Sequence, residues 1–300
     1  MLDPHGLQQR AVLIQSIRDF FLRHAYLEVD TPLRIPAPAP EAHLVPESSG
    51  DWFLQTSPEL CMKRLLAAGN PKIFQICKCF RREERGVRHL PEFTMLEWYR
   101  AGIGYLELMD ECEALFNSLA SRPGAQPELR YGGQPLSLAR PWERVSVAEA
   151  FAAHAPMALR EALRRDLFDE MMVEHIEPHL GKGKPTFIYD YPAELGALAR
   201  TKPGNPEVAE RFELYVGGLE LANGFSELTD AVEQRCRFEQ AQGEMDRNGR
   251  TPGPMPEVFL AALPDMPEAA GIALGVDRLA MIFLGVPRID QAVSFVPEEL

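Results

Sequence analysis

Leu7, Ala11, Ile14, Ile17 and Phe21 recur at intervals of three and four. That spacing predicts an amphipathic helix over residues 6–25. The pattern then breaks: LEVDTPLRIPAPAPEAH opens as a short strand and dissolves into a proline-rich loop. Residues 52–55 read as a strand. Residues 58–68 read as a helix with Pro58 in its first turn, where a missing N–H does no harm. KIFQICKCF (72–80) and EFTMLEWY (92–99) read as two strands joined by the loop 81–91. Residues 105–120 read as a helix, LRYGGQPLSL as a small hairpin turning at Gly132 and Gly133, and much of 146–180 as helical. PTFIYDYP (185–192) reads as a strand and TKPGNP as a loop. FELYVGGLELANGF reads as a hairpin turning at Gly217 and Gly218, with helices expected near 230–247 and 255–262. Strands pair by hairpins instead of alternating one for one with helices. The expected class is therefore α+β, with an antiparallel sheet flanked by helices.

Composition narrows this only a little. Three hundred residues hold one large domain or two modest ones. An apolar share of 46% and a charged share of 25% suit a packed core. The net charge of −13 argues against generic nucleic-acid binding, which leans on cationic neutralisation of phosphates, although a local basic patch could override it. No apolar run approaches the roughly 20 residues of a membrane span. MLDPHGLQQRAV lacks the cationic flank and apolar stretch of a signal peptide, which points to the cytoplasm. Cys61, Cys77, Cys79, Cys112 and Cys236 are odd in number and follow no framework spacing. They read as small buried side chains of a reducing compartment, and no zinc-ligand spacing is evident.

The chemistry concentrates in two segments. FRREERGVRHLPEFTMLEWY (80–99) puts several arginines, a histidine, glutamates and a phenylalanine into one strand–loop–strand unit. Arginines can grip phosphate oxygens in pairs, and an aromatic among them can stack on a nucleobase. GIALGVDRLAMIF (271–283) places Arg278 at the start of an apolar helix, a position that favours anions. A nucleotide-using enzyme is the expectation.

Together the two segments resemble motifs 2 and 3 of class II aminoacyl-tRNA synthetases. Pro32 resembles the proline of motif 1, the element that usually forms the dimer interface in that family. From the first helix to the end, the chain resembles the catalytic domain of lysyl-tRNA synthetases. FRRE followed by RHLPEFTMLEWY is the specific part; a lone FRxE would say little. The resemblance implies a class II catalytic fold over residues 1–300, a homodimer, and ATP with Mg2+ as cofactors. It implies that Arg81 grips the α-phosphate and the substrate carboxylate, and that Arg278 clamps the γ-phosphate and covers one face of adenine. Glu83 would accept from the adenine amino group, His89 would lie near the outer phosphates, and Phe93 would stack on the ring. Glu213 and Glu220 would bind magnesium. NGFSEL (223–228) matches the amino-acid pocket of that family. Glu97 and Glu227 would pair with a side-chain ammonium, and Tyr99 would add a hydroxyl. Phe225 would pack along the methylene stem, Glu59 would receive an amino group, and Asn223 shares the face of Phe225 and Glu227 by strand alternation.

Three departures from the synthetase pattern shift the expected substrate. Only about five residues precede the first helix, so the anticodon-reading OB-fold is expected to be absent. Ser57-Pro58-Glu59 stands where those synthetases usually have Ala-Pro-Glu, and Ala273 where they usually have Gly. A hydroxyl or methyl in a tight pocket changes substrate preference by about 1–3 kcal/mol; drift without functional effect is the other explanation of the two residues. With TSPELCMKRLL (56–66) and ELANGFSELTD, these departures resemble the elongation factor P lysyltransferase group. That resemblance implies activation of lysine, preferably (R)-β-lysine, and its transfer to elongation factor P, with no tRNA and no membrane involved. Arg85 and Arg88 are candidates for meeting an acidic partner. A minimal enzyme that charges tRNA and a non-catalytic regulator are the alternatives.

Overall fold

The computed structural model describes residues 2–122, 124 and 128–300. The first helix, Pro4–Arg23, starts where the Asp3 carboxylate accepts from the Gly6 N–H at 2.7 Å. Its buried stripe, Leu13, Ile17, Phe20 and Phe21, presses on the sheet. Phe21 stacks on Phe74 at 4.8 Å and leans on Trp98 at 5.1 Å. Helix Tyr105–Ala120 buries Leu108, Met109, Cys112, Leu115, Phe116 and Leu119 at helical spacing. Helix Val276–Leu284 is buried nearly all round.

Among the described residues the main sheet has nine strands. Its centre is antiparallel, as expected: Lys72–Phe80, Glu92–Ala101, Ala269–Gly275, Leu219–Ser226, Asn205–Val216 and Thr186–Pro192 lie side by side. The two edges differ from that expectation. Leu27–Glu28 and Glu143–Ser146 each join parallel to their neighbour. TKPGNP is also tighter than a loop, because Thr201–Lys202 folds back on the strand that begins at Asn205. The region expected to be helical breaks into short pieces, Val147–His154, Leu159–Arg164 and Phe168–Met171, followed by a π-helical turn at Met172–Ile176.

Strand register separates the core from the site. One row across the sheet runs Phe74, Trp98, Ile272, Gly224, Phe212 and Tyr189. This row faces the helices and forms the main core. A Cβ on Gly224 would come within 2.6 Å of the Phe212 ring, so the row closes only with glycine there. The adjacent row runs Gln75, Glu97, Ala273, Asn223, Glu213 and Ile188. A step of one residue turns a side chain to the opposite face. The polar row therefore lines the other face of the same strands, and it carries four of the residues singled out from sequence.

Candidate active site

At one end of the polar face, three carboxylates converge. Glu97 is fully buried, with Oε1 accepting from the Ser57 hydroxyl at 2.6 Å and Oε2 from the Tyr99 hydroxyl at 2.7 Å. Ser57 Oγ also accepts from the Glu59 N–H at 3.0 Å, so one hydroxyl starts helix Glu59–Ala67 and orients Glu97. Burial, with repulsion from Glu59, pushes the Glu97 carboxyl up to about 8, against the two hydroxyl donors and Lys63. Glu227 lies just past its strand, where its N–H donates to Ala269 O at 2.9 Å. Its buried carboxyl is likewise raised to about 8, first by burial, with Lys63 opposing. Tyr99 and Glu227 crowd over Gly271: a Cβ there would meet the Tyr99 ring at 2.2 Å and Glu227 Oε1 at 2.4 Å.

Between these acids sits Lys63, which sequence reasoning missed. Its side chain is fully buried, and Nζ lies 2.5 Å from both Glu59 Oε1 and Glu227 Oε2. The Glu59 contact is a formed hydrogen bond. The Glu227 contact is close but poorly directed, and neither Glu227 oxygen accepts a well-formed hydrogen bond. Burial opposes the Lys63 charge, yet Glu227 and Glu59 together outweigh it and hold its pKa above the ordinary lysine value. The ammonium lies 5.0 Å from the centre of the Phe225 ring. The signal was present in the sequence: a lysine on the buried stripe of Leu60 and Leu66, four residues after a glutamate.

Toward the other end the groups are basic and more open. Arg81 lies over the Phe93 ring at 5.1 Å and reaches Glu84 at only 3.5 Å; its buried Nε has no hydrogen-bond partner. Arg278, in the first turn of its helix, donates to Glu220 O at 2.7 Å and to Arg88 O at 3.1 Å, and sits 2.5 Å from His89 Nε2. Burial and the Arg278 charge lower the His89 pKa, which favours the neutral imidazole. Glu83 does not join this cluster. It is exposed, 3.9 Å from Arg82 and 4.0 Å from Arg250. Arg85 is committed to Asp290 and Glu298, each at 2.9 Å, and Arg88 donates to Gly218 O at 3.2 Å. Arg85 is thus already ion-paired, whereas exposed Arg88 makes a backbone hydrogen bond and no ion pair among the described residues.

Between the two ends, Arg211 organises the face. It donates to Asn223 Oδ1 at 2.9 Å, to Glu213 Oε1 at 2.6 Å and to Leu195 O at 2.8 Å, and it stacks over Tyr191 at 4.3 Å. Its place two residues before Glu213 and four before Tyr215, on one face of the strand, was the available signal. Glu213 and Glu220 flank the Gly217–Gly218 turn, Glu213 on one strand and Glu220 on the next. Among the described residues, no group of three or more His, Cys, Asp or Glu side chains is arranged to hold a metal. Magnesium commonly takes one or two carboxylates and completes its shell with phosphate oxygens and water. The pair therefore fits a site shared with a phosphate ligand, not an all-protein cage. Asp277 locks the frame: its carboxylate accepts from Arg10 at 2.5 Å and from the Thr94 N–H at 2.7 Å, tying the Arg278 helix to the strand of Phe93. Glu41, on the proline-rich segment, is half-buried with its carboxyl turned inward; burial, opposed by Arg81 and reinforced by Glu59, raises it to about 7.

An acid-lined pocket next to an arginine cluster, on one face of an antiparallel sheet, is the arrangement of an enzyme that joins an amino acid to a nucleotide. The family described as tRNA synthetases class II (D, K and N) matches residues 5–299, and the chain belongs to it. Within the family its relatives are specific. A protein of Proteus mirabilis named elongation factor P–(R)-β-lysine ligase is 42% identical, the match covering 97% of this chain and 94% of that one. Proteins of the same name from Vibrio vulnificus and Haemophilus influenzae are also 42% identical, over 96% and 98% of this chain and 94% and 95% of theirs. Among the described residues, no helix is long and apolar enough to cross a membrane.

Proposed function

We propose that this chain activates a lysine-type diamino acid, (R)-β-lysine first, as its adenylate, and transfers the acyl group to a lysine ε-amine of elongation factor P. The observation that carries this reading is the trio of buried Glu97 and Glu227 and part-buried Glu59, placed on one polar face with Arg81 and Arg278. Buried carboxylates are costly unless paired, so the pocket is selective for cations. The names of relatives 42% identical along nearly the whole chain support the same acceptor and substrate.

In the first step a carboxylate oxygen of the amino acid attacks the α-phosphorus of ATP. The bond to the bridging oxygen breaks, and pyrophosphate leaves with its electrons. Arg81, whose Nε lacks a partner, grips the α-phosphate and the carboxylate, while Arg278 and neutral His89 face the outer phosphates. Phe93 and Glu83 receive the adenine, with Glu83 swinging in from its exposed position. Glu213 and Glu220 hold magnesium, which when bound neutralises phosphate charge. Glu97, Tyr99 and Glu227 take the distal ammonium, Glu59 the other amino group, Phe225 the methylene stem, and Ser57, Ala273 and Asn223 shape the walls. In the second step the acceptor amine attacks the acyl carbon, AMP leaves, and the amine proton passes to the departing phosphate or to solvent. No protein nucleophile is required, because positioning and electrostatics carry the chemistry.

The same reading treats residues 1–300 as a single catalytic domain working in the cytoplasm as a homodimer, without tRNA. Leu7, Val12 and Leu22, exposed on the first helix, support a dimer contact there. The test is the intact mass of elongation factor P after incubation with the enzyme, ATP, magnesium and (R)-β-lysine, with tRNA as a parallel acceptor. A gain of one lysyl unit on the protein and none on tRNA is the expected result. Charged tRNA beside unmodified protein would replace this reading with a minimal synthetase.

A further inference from the structure

The pocket holds a cation of its own. Lys63 bridges Glu59 and Glu227 at 2.5 Å each, with its side chain fully buried. A buried ammonium is tolerated only when acidic groups close around it. The bridge spans two elements, helix Glu59–Ala67 and the chain just after strand Leu219–Ser226, so it also fixes where the two carboxylates point. The charged and titratable groups around it come from four segments of the chain. They are Glu59 on its own helix, Glu97 and Tyr99 on the strand behind, Glu227 beside them, and Glu41 on the proline-rich segment.

We infer that Lys63 is a resident ammonium that positions Glu59 and Glu227 and sets the charge of the pocket to suit an amino acid with two ammonium groups. With Glu59, Glu97 and Glu227 ionised around a bound cation and Glu41, raised to about 7, counted with its proton on, three carboxylates less one ammonium leave two negative charges, the number such a substrate neutralises. Without Lys63 the pocket carries one carboxylate too many, and the burial that already disfavours ionisation of Glu227 goes unopposed. Glu227 keeps acceptor capacity for the incoming ammonium, because its contact with Lys63 uses one oxygen and is poorly directed. Lys63 thus acts through its neighbours as a positioning residue.

The inference rests on the function proposed above, and the test separates the two. Diamino-acid-dependent pyrophosphate exchange is measured for the parent and for Lys63→Met across pH. If the parent shows no exchange with (R)-β-lysine or lysine, the functional reading fails and Lys63 loses the role argued for it. If the parent exchanges, Lys63→Met is expected to raise KM for the diamino acid roughly tenfold or more at about pH 7, with the deficit shrinking toward about pH 9 as the carboxylates ionise. KM for ATP is expected to stay within about twofold, since the nucleotide groups lie at the other end of the face. Equal losses in both KM values, or a loss independent of pH, would mean scaffolding only. A lower KM in the variant would mean that Lys63 competes with substrate, and would overturn the inference. Should Lys63→Met fail to fold, Glu59→Gln is compared with Glu59→Gln/Lys63→Met, which removes one buried charge of each sign. The inference expects the pH midpoint of KM to lie higher in the double variant, because Glu227 has lost its cation; equal midpoints overturn it.

Discussion

The two ends of the polar face are built differently. At the carboxylate end, Glu97, Tyr99, Lys63 and Glu227 are sealed from solvent, and Glu97 is held by hydrogen bonds of 2.6 and 2.7 Å before any ligand arrives. At the arginine end, Arg81 leans on a ring and reaches its nearest acid at 3.5 Å, and Glu83 stands in solvent. The first set hangs on central strands, helix Glu59–Ala67 and the end of a strand, where register fixes direction. The second hangs largely on the loop 81–91 and a helix terminus. The difference teaches where specificity resides. On the function proposed above, the amino-acid end is preorganised by burial, whereas the nucleotide end keeps cations for phosphate partners.

The largest effect should come from breaking the arginine end. Arg81→Ala is expected to slow adenylate formation, read by pyrophosphate exchange, about a thousandfold, the loss typical of one preorganised charge donor. Its thermal melting should barely move, because a half-exposed arginine with one long ion contact contributes little to stability. A variant that exchanges at near-parental rates would remove Arg81 from the chemistry. One that unfolds would show the arginine end to be as structural as the carboxylate end.

The carboxylate end should answer to pH. Glu97 and Glu227 are raised from 4.5 to about 8, so folding favours their protonated forms. The stability they contribute is complete below the ordinary carboxylate range and is lost as pH rises through about 8. The parent should therefore melt at lower temperature at about pH 9 than at about pH 6, and Glu97→Gln should flatten that slope. The same variant should raise KM for the diamino acid roughly thirty- to a hundredfold, the cost of losing one buried charge partner. Binding of the diamino acid to the parent at about pH 7 should release protons, because an ammonium favours ionised carboxylates. Calorimetry in two buffers of different ionisation enthalpy reads this. No proton release would break the contrast between the ends.

The fold was legible where side-chain period reports directly on burial. The first helix, the strands 72–80 and 92–99 and the Gly217–Gly218 hairpin all follow from period, length and turn chemistry. The parallel edge strands were not legible, since two- and four-residue strands carry no period of their own. Of the candidate site, the motif residues other than Glu83 were brought onto one face. Glu97, Ala273, Asn223 and Glu213 share one row, which strand alternation alone cannot foretell without the register between strands. Lys63 and Arg211 were missed for one physical reason. A basic residue looks like solvent-facing charge until the fold shows which acids close around it. Glu83 shows the converse: a residue picked out by motif whose side chain lies outside the cluster.

A smaller effect should sharpen the carboxylate end. Ser57 donates to Glu97 Oε1, and removing that donor withdraws one of the interactions that favour the ionised form. Ser57→Ala should push the Glu97 carboxyl higher still and raise KM for the diamino acid about fifteenfold, the lower end of the range for one lost hydrogen bond to a charged group. The rise should be greatest near neutral pH and should fade in alkali. A uniform rise across pH would place the effect in the start of helix Glu59–Ala67, where the same hydroxyl accepts from the Glu59 N–H.

The smallest effect concerns which diamino acid is preferred. Ala273 stands between Glu97 and Asn223 in the polar row, so on the function proposed above its methyl group would form part of the wall that the substrate backbone meets. An α-amino acid and its β-isomer differ in how far the second ammonium stands from the carboxylate, while the distal ammonium reaches the same buried acids. A wall methyl can therefore select between them without touching the distal charge. Ala273→Gly should improve lysine relative to (R)-β-lysine by about tenfold in kcat/KM, within the range that one methyl group supplies. The proton release and the Glu97 pH profile should be unchanged, because no charge moves. If the preference ratio holds steady while the pH profile shifts, Ala273 acts through Glu97, and isomer choice must lie elsewhere in the pocket.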